Sequence, residues 1–170
     1  MSVSNHIDNT GGSHLEADLK ENLILLVEDC AEDVSLVLRA FKKWGITNPI
    51  LVVPDGEQAV DFFNGQGSYA DRNLHPLPCL AILDLSLPHM SGFEVLRWVR
   101  ARLDLANLPV VVLSGTKDPT HFDQAHRLGA NACVVKTLDL VALHELIQHL
   151  NYFSMASDYN STAVDWSPEP

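Results

Sequence analysis

The sequence predicts an α/β domain with a five-stranded, doubly wound parallel sheet, and three observations carry that expectation. Five short apolar runs, Leu23-Ile-Leu-Leu-Val27, Pro49-Ile-Leu-Val-Val53, Leu80-Ala-Ile-Leu83, Pro109-Val-Val-Val-Leu113 and Ala132-Cys-Val-Val135, are continuous rather than alternating, as strands buried on both faces are. Between them lie stretches with apolar residues at helical spacing, and such alternation gives parallel strands joined by right-handed crossovers with helices on both faces. At 170 residues the chain is long enough for one domain with a substantial core and too short for two ordinary ones.

Taken in order, residues 1–22 contain Gly11, Gly12 and little aliphatic periodicity, and are expected to be a flexible N-terminal tail. The first strand ends abruptly in Glu28-Asp29. From Ala31 to Trp44, the residues Val34, Val37, Leu38, Phe41 and Trp44 mark a helix with one buried face, and Gly45 supplies its stop. The second strand is stopped by Pro54-Asp55-Gly56, and Ala59, Val60, Phe62 and Phe63 predict a short second helix. Asn64 to Pro78 is a loop longer than such a unit needs, hence an insertion.

The third strand ends in Asp84, and a loop broken by Pro88 and Gly92 follows. Ser91 is a candidate N-cap for a third helix carrying Phe93, Leu96, Trp98, Val99 and Leu103. The fourth strand ends in Ser114-Gly115-Thr116, and a weakly amphipathic helix from Pro119 to Leu128 ends at Gly129. Lys136 follows the fifth strand. A last helix, from Leu138 to Phe153, completes a domain over residues 23–153, and residues 154–170 read as a polar, acidic tail interrupted by Pro168 and Pro170.

Composition excludes several function classes. A net charge of −11 with no Lys/Arg cluster argues against a nucleic-acid partner, and no apolar run reaches membrane-spanning length. Cys30, Cys79 and Cys133 are odd in number and widely spaced, so neither a disulfide framework nor a zinc site is indicated. With no signal-peptide pattern at the N-terminus, the expected compartment is the cytoplasm.

In a sheet of this kind the carboxyl ends of all strands lie on one edge, where open α/β sheets bind ligands. Here those ends carry Glu28 and Asp29, Asp84, Ser114 and Lys136. Clustered carboxylates repel one another unless they share a cation, and a hard divalent ion with oxygen ligands answers that need, Mg2+ or Mn2+. A lysine and a hydroxyl beside them suit phosphoryl oxygens, so the set reads as a phosphoryl-transfer site with a carboxylate nucleophile. For Asp84 alone a polar strand terminator is an equal reading; the other strand ends shift the weight.

Four pieces, Leu-Leu-Val-Glu-Asp at 25–29, Ile-Leu-Asp-Leu-Ser-Leu-Pro-His-Met-Ser-Gly at 82–92, Pro-Val-Val-Val-Leu-Ser-Gly at 109–115 and Gly-Ala-Asn-Ala-Cys-Val-Val-Lys at 129–136, stand in one order and spacing. Over Leu23 to Leu150 the chain thereby resembles a CheY-like response-regulator receiver domain of two-component signalling. The resemblance implies a flavodoxin-like fold whose Asp84 accepts a phosphoryl group from a sensor histidine kinase. It implies Asp29 as a metal ligand, Glu28 acting mainly through metal-bound water, and the backbone carbonyl of Ser86 completing the shell. Ser114 would bond a phosphoryl oxygen on activation, and Lys136 would pair with the phosphoryl group. No enzymatic activity beyond the domain's own phosphorylation and dephosphorylation is implied. The long loop with Gly-Ser-Tyr at 67–69 and the absence of an output domain resemble the small stand-alone regulators of phytochrome-type kinases.

Two positions depart from the family pattern. Cys133 stands where an aromatic switch residue is usual, and Thr137 rather than proline follows Lys136. A cis peptide before a non-proline costs about 2.5–4 kcal/mol, so either the site bears that strain or the loop is altered. These departures keep open an alternative: a phosphorylation-independent binding or adaptor module. A dehalogenase-type phosphatase would want a second acid two residues after Asp84, where Ser86 stands. His89, His121, His126, His144 and His149 are expected at the surface, and Cys133 as a small core residue. Surplus apolar residues on the last helix, Val141, Leu146, Tyr152 and Phe153, together with Val134, predict an apolar patch and a homodimer through the last strand and helix.

Overall fold

The computed structural model describes residues 23–137 and 140–154, with the side chains of 149–154 excepted; both expected tails beyond these bounds, and residues 138–139, lie outside the described residues. Five strands, β1 (Ile24–Val27), β2 (Ile50–Val53), β3 (Leu80–Asp84), β4 (Val110–Ser114) and β5 (Ala132–Val135), alternate with five helices. The helices are α1 (Ala31–Lys43), α2 (Gly56–Asn64), α3 (Gly92–Arg100), α4 (Pro119–Arg127) and α5 (Val141–Ser154). All strand pairs are parallel, in the order β2-β1-β3-β4-β5. That order is the flavodoxin-like one, with β1 and β3 flanking the point where the winding reverses.

Every residue of β1, β3 and β4 is buried, which is why their sequences are unbroken apolar runs. The side-chain period of two divides them between two cores. Ile24, Leu26, Leu80, Ile82, Val111, Leu113 and Val134 face a layer built by α1 and α5 through Val37, Phe41, Leu143 and Ile147. Leu25, Val27, Ala81, Leu83, Val110 and Val112 face α2, α3 and α4 through Phe62, Phe63, Val95, Leu96, Val99 and Ala125.

Local chemistry sets the helix ends. Asp55 caps α2 by accepting from the Gln58 N–H, and Gly65 ends it in the left-handed region. Ser91 and Glu94 form a reciprocal capping box at the start of α3. The third helix is shorter than expected: it ends at Arg100, and Leu103 sits in a separate 3-10 turn, Leu103–Leu105, 96% exposed. There Leu105 is the buried residue, so the apolar periodicity that ran on to Leu103 belongs to the turn. The expected insertion is an ordered loop. Arg72 donates to the Phe63 and His75 carbonyls, and the Tyr69 hydroxyl donates to Gln58.

The last helix differs too. Its described part begins at Val141, directly after Leu140, a buried residue at φ +43; the expected start at Leu138 lies outside the described residues. Val134 is 6% exposed and packed beneath α5, which removes it from any surface patch. His144 is half-buried and stacks on Trp44 at 4.5 Å between ring centroids, tying α5 to the end of α1 rather than standing free at the surface.

Candidate functional site

Strand parity decides which side chains meet at the carboxyl edge. Counting in twos from Ile24 and Leu26 gives Glu28, from Leu80 and Ile82 gives Asp84, and from Val134 gives Lys136, all on the α1/α5 side of the sheet. Val110 and Val112 lead instead to Ser114, on the opposite side. The first turn of α1 closes over the near side, with Glu32 and Asp33 at the positive end of its dipole.

Lys136 is the hub. Its Nζ lies 2.7 Å from Glu28 Oε2, 2.8 Å from Asp33 Oδ2 and 3.1 Å from Asp84 Oδ1. Glu28 and Asp84 are only 1% and 2% exposed, and Glu28 Oε2 and Asp84 Oδ1 have this ammonium contact as their compensation. Their second oxygens are held by the chain itself: the Cys30 N–H donates to Glu28 Oε1 and the Ser86 N–H to Asp84 Oδ2. Burial pushes the Glu28 carboxyl above the ordinary range, the Lys136 hydrogen bond opposes that, and the neighbouring Asp84 charge adds to it. Burial alone would lower the Lys136 pKa, but hydrogen bonds to Asp33 and Glu28 and the charges of Asp84 and Glu28 raise it on balance.

Asp29 is exposed on the rim, and Glu28, Asp29 and Asp84 each offer an oxygen within 4.8 Å of the others. Three hard oxygen donors, two of them buried, fit a hard divalent cation. Close packing holds Asp84 in place: the backbone of Gly92, at the start of α3, lies so near that a Cβ there would strike the Asp84 carbonyl oxygen.

The side chains of the remaining expected residues make no ion pair with the cluster. The Ser114 hydroxyl is buried and turned into its own loop, donating to the Thr116 carbonyl and accepting from the Thr116 N–H. Ser86 reaches Asp84 through its backbone N–H. Cys133 is half-buried against the α2–α4 core, and burial pushes its thiol up to about 11. Among the described residues no peptide bond is cis, the one joining Lys136 to Thr137 included. Asp33 escaped the sequence reading. Its signal was available: it is an acid in the first turn of the helix that starts at the carboxyl end of β1, beside Glu28 and Asp29.

The Response regulator receiver domain family matches this chain over residues 24–148. Response regulator Rcp1 of Synechocystis sp. is 34% identical over 131 residues, covering 77% of this chain and 87% of its own. The crystal structure of the Mn(2+)-bound form of Rcp1 aligns with a TM-score of 0.65 at 33% identity, over 78% of this chain and 93% of that one. The phosphorylated cyanobacterial phytochrome response regulator RcpA aligns with a TM-score of 0.67 at 29% identity, covering 80% and 95%. The bacteriophytochrome response regulator AtBRR aligns at 0.68 and 36%, covering 76% and 92%. With the fold, the acidic edge and these relatives in agreement, the chain belongs to the response-regulator receiver domains, the phosphorelay modules of two-component signalling.

Proposed function

We propose that Asp84 is the phosphoacceptor of this receiver domain, which spans residues 23–153 between two tails. The observation that carries this reading is the position of Asp84: a carboxylate 2% exposed at the end of the central strand, with Oδ1 facing the Lys136 ammonium at 3.1 Å. A carboxylate is costly to bury even when it is paired, and a reactive role explains why one is kept there. An Asp84 oxygen forms a bond to phosphorus while the bond from phosphorus to the donor's histidine nitrogen breaks, and that nitrogen keeps the electron pair. Glu28, Asp29, Asp84 and the Ser86 carbonyl would hold Mg2+ or Mn2+, which supplies charge neutralisation between the carboxylate and the phosphoryl oxygens. Lys136 turns to the phosphoryl group, and the Ser114 hydroxyl leaves Thr116 to bond a phosphoryl oxygen on activation.

The partner is a sensor histidine kinase of the phytochrome type, as the names of the relatives RcpA and AtBRR suggest by similarity. Signalling runs through protein contacts in the cytoplasm, including a homodimer built on α5; no described helix is long and apolar enough to cross a membrane.

Incubation with acetyl phosphate and Mg2+, read by intact mass, tests the acceptor. One acid-labile phosphoryl group is expected on the native chain and none on Asp84→Asn. Full labelling of that variant would overturn the assignment.

A further inference from the structure

The three partners of Lys136 are not equivalent. Glu28 and Asp84 belong to the oxygen cluster suited to a divalent cation, whereas Asp33 does not. Asp33 reaches the ammonium from the first turn of α1, 103 residues away in sequence, and its side chain is 32% exposed. An ammonium has three donors, and here each faces one carboxylate. A divalent cation at Glu28, Asp29 and Asp84 repels the ammonium and competes for two of its three partners. Asp33 is the partner that remains.

We propose that Asp33 is a positioning residue, which keeps the Lys136 ammonium at the rim when the cation recruits Glu28 and Asp84. The freed donors then face the phosphoryl group entering at Asp84. This inference rests on the reading of Asp84 as phosphoacceptor. Lysine carries a flexible four-carbon stem with large rotamer entropy, so without a fixed anion its head group would spend its time in solvent once the cation is bound. Asp33 touches neither the cation's donors nor the acceptor oxygen; it acts through Lys136.

The sign of the effect separates positioning from simple charge. Removing a carboxylate near an incoming anion should tighten anion binding by Coulomb's law, while losing the anchor should weaken it. Calorimetric titration of beryllofluoride, a tetrahedral phosphoryl mimic, at saturating Mg2+ reads this directly. Asp33→Asn is expected to weaken beryllofluoride about tenfold while Mg2+ affinity stays within about threefold, and Asp33→Glu to recover most of the loss. In a Lys136→Ala background Asp33→Asn should add nothing, because a residue acting through Lys136 has no effect without it. Asp33→Ser replaces the asparagine variant if that one does not fold.

Native or tighter beryllofluoride binding by Asp33→Asn overturns the inference, as does an undiminished loss in the Lys136→Ala background. Binding by the native chain that Asp84→Asn abolishes keeps the acceptor reading intact whatever Asp33 does. No binding by the native chain overturns both.

Discussion

At the residue scale Lys136 holds the carboxylates that a divalent cation would use. With no divalent ion, Lys136 compensates Glu28 and Asp84, two carboxylates that the strands bury because parity points them inward. Breaking a buried ion pair from one side leaves an uncompensated charge, so Lys136→Ala should lower metal-free stability by about 3–5 kcal/mol in urea unfolding. Mg2+ should raise the melting temperature of the native chain, and by more in Lys136→Ala, where the ion no longer competes with an ammonium. Asp29→Ala should remove most of that gain in both backgrounds. An equal Mg2+ shift with and without Asp29 would place the ion elsewhere.

At the element scale the site depends on how closely α3 approaches the end of β3. Gly92 opens that helix, and a Cβ there would strike the Asp84 carbonyl oxygen and come within 2.8 Å of the Leu85 Cα. Both are backbone atoms and cannot swing aside. Gly92→Ala should therefore cost about 1–3 kcal/mol or more and slow phosphoryl uptake by shifting Asp84. Gly115, in the loop after β4, has open space where its Cβ would stand, so Gly115→Ala serves as the neutral control. Equal melting temperatures for the two variants would show that the approach of α3 is looser than its packing implies. The same scale explains Leu103 and Val134. Periodicity cannot tell a helix from the 3-10 turn after it, nor a strand residue beneath a helix from one beside it, because both judgements depend on what packs above.

At the scale of the whole molecule the sheet separates two tasks. The carboxyl edge carries the acidic cluster, and α5 is the element on which the proposed dimer would be built. Leu143 and Ile147 are buried in its core stripe, Leu146 is half-buried, and Val141 is 56% exposed; the expected contributions of Tyr152 and Phe153 lie outside the described side chains. With Val134 withdrawn beneath the helix, the proposed dimer rests on α5 itself. Light scattering at micromolar concentration should give a dimer mass, and Leu146→Asp should shift it toward the monomer by placing a charge in the interface. A monomer at every concentration, before and after phosphorylation, would remove the dimer. The complete set of acids with the lysine, and relatives that include a phosphorylated regulator, favours the phosphorelay role over a phosphorylation-independent adaptor.

What the amino-acid sequence determined by itself was the order of elements and the residues at the strand ends. Unbroken apolar runs, cap residues such as Ser91, and stops such as Gly45 act within a few residues, and local signals are legible along the chain. Glu28, Asp29, Asp84 and Lys136 could be placed on one edge because parallel strands all end there. Only the tertiary structure decided how they divide. Register and parity set Lys136 among Glu28, Asp33 and Asp84 and turned Ser114 toward the other layer, and the docking of α1 brought in Asp33 from 103 residues away. Contacts of that separation follow from the packing of whole elements against one another, and no stretch of sequence contains them.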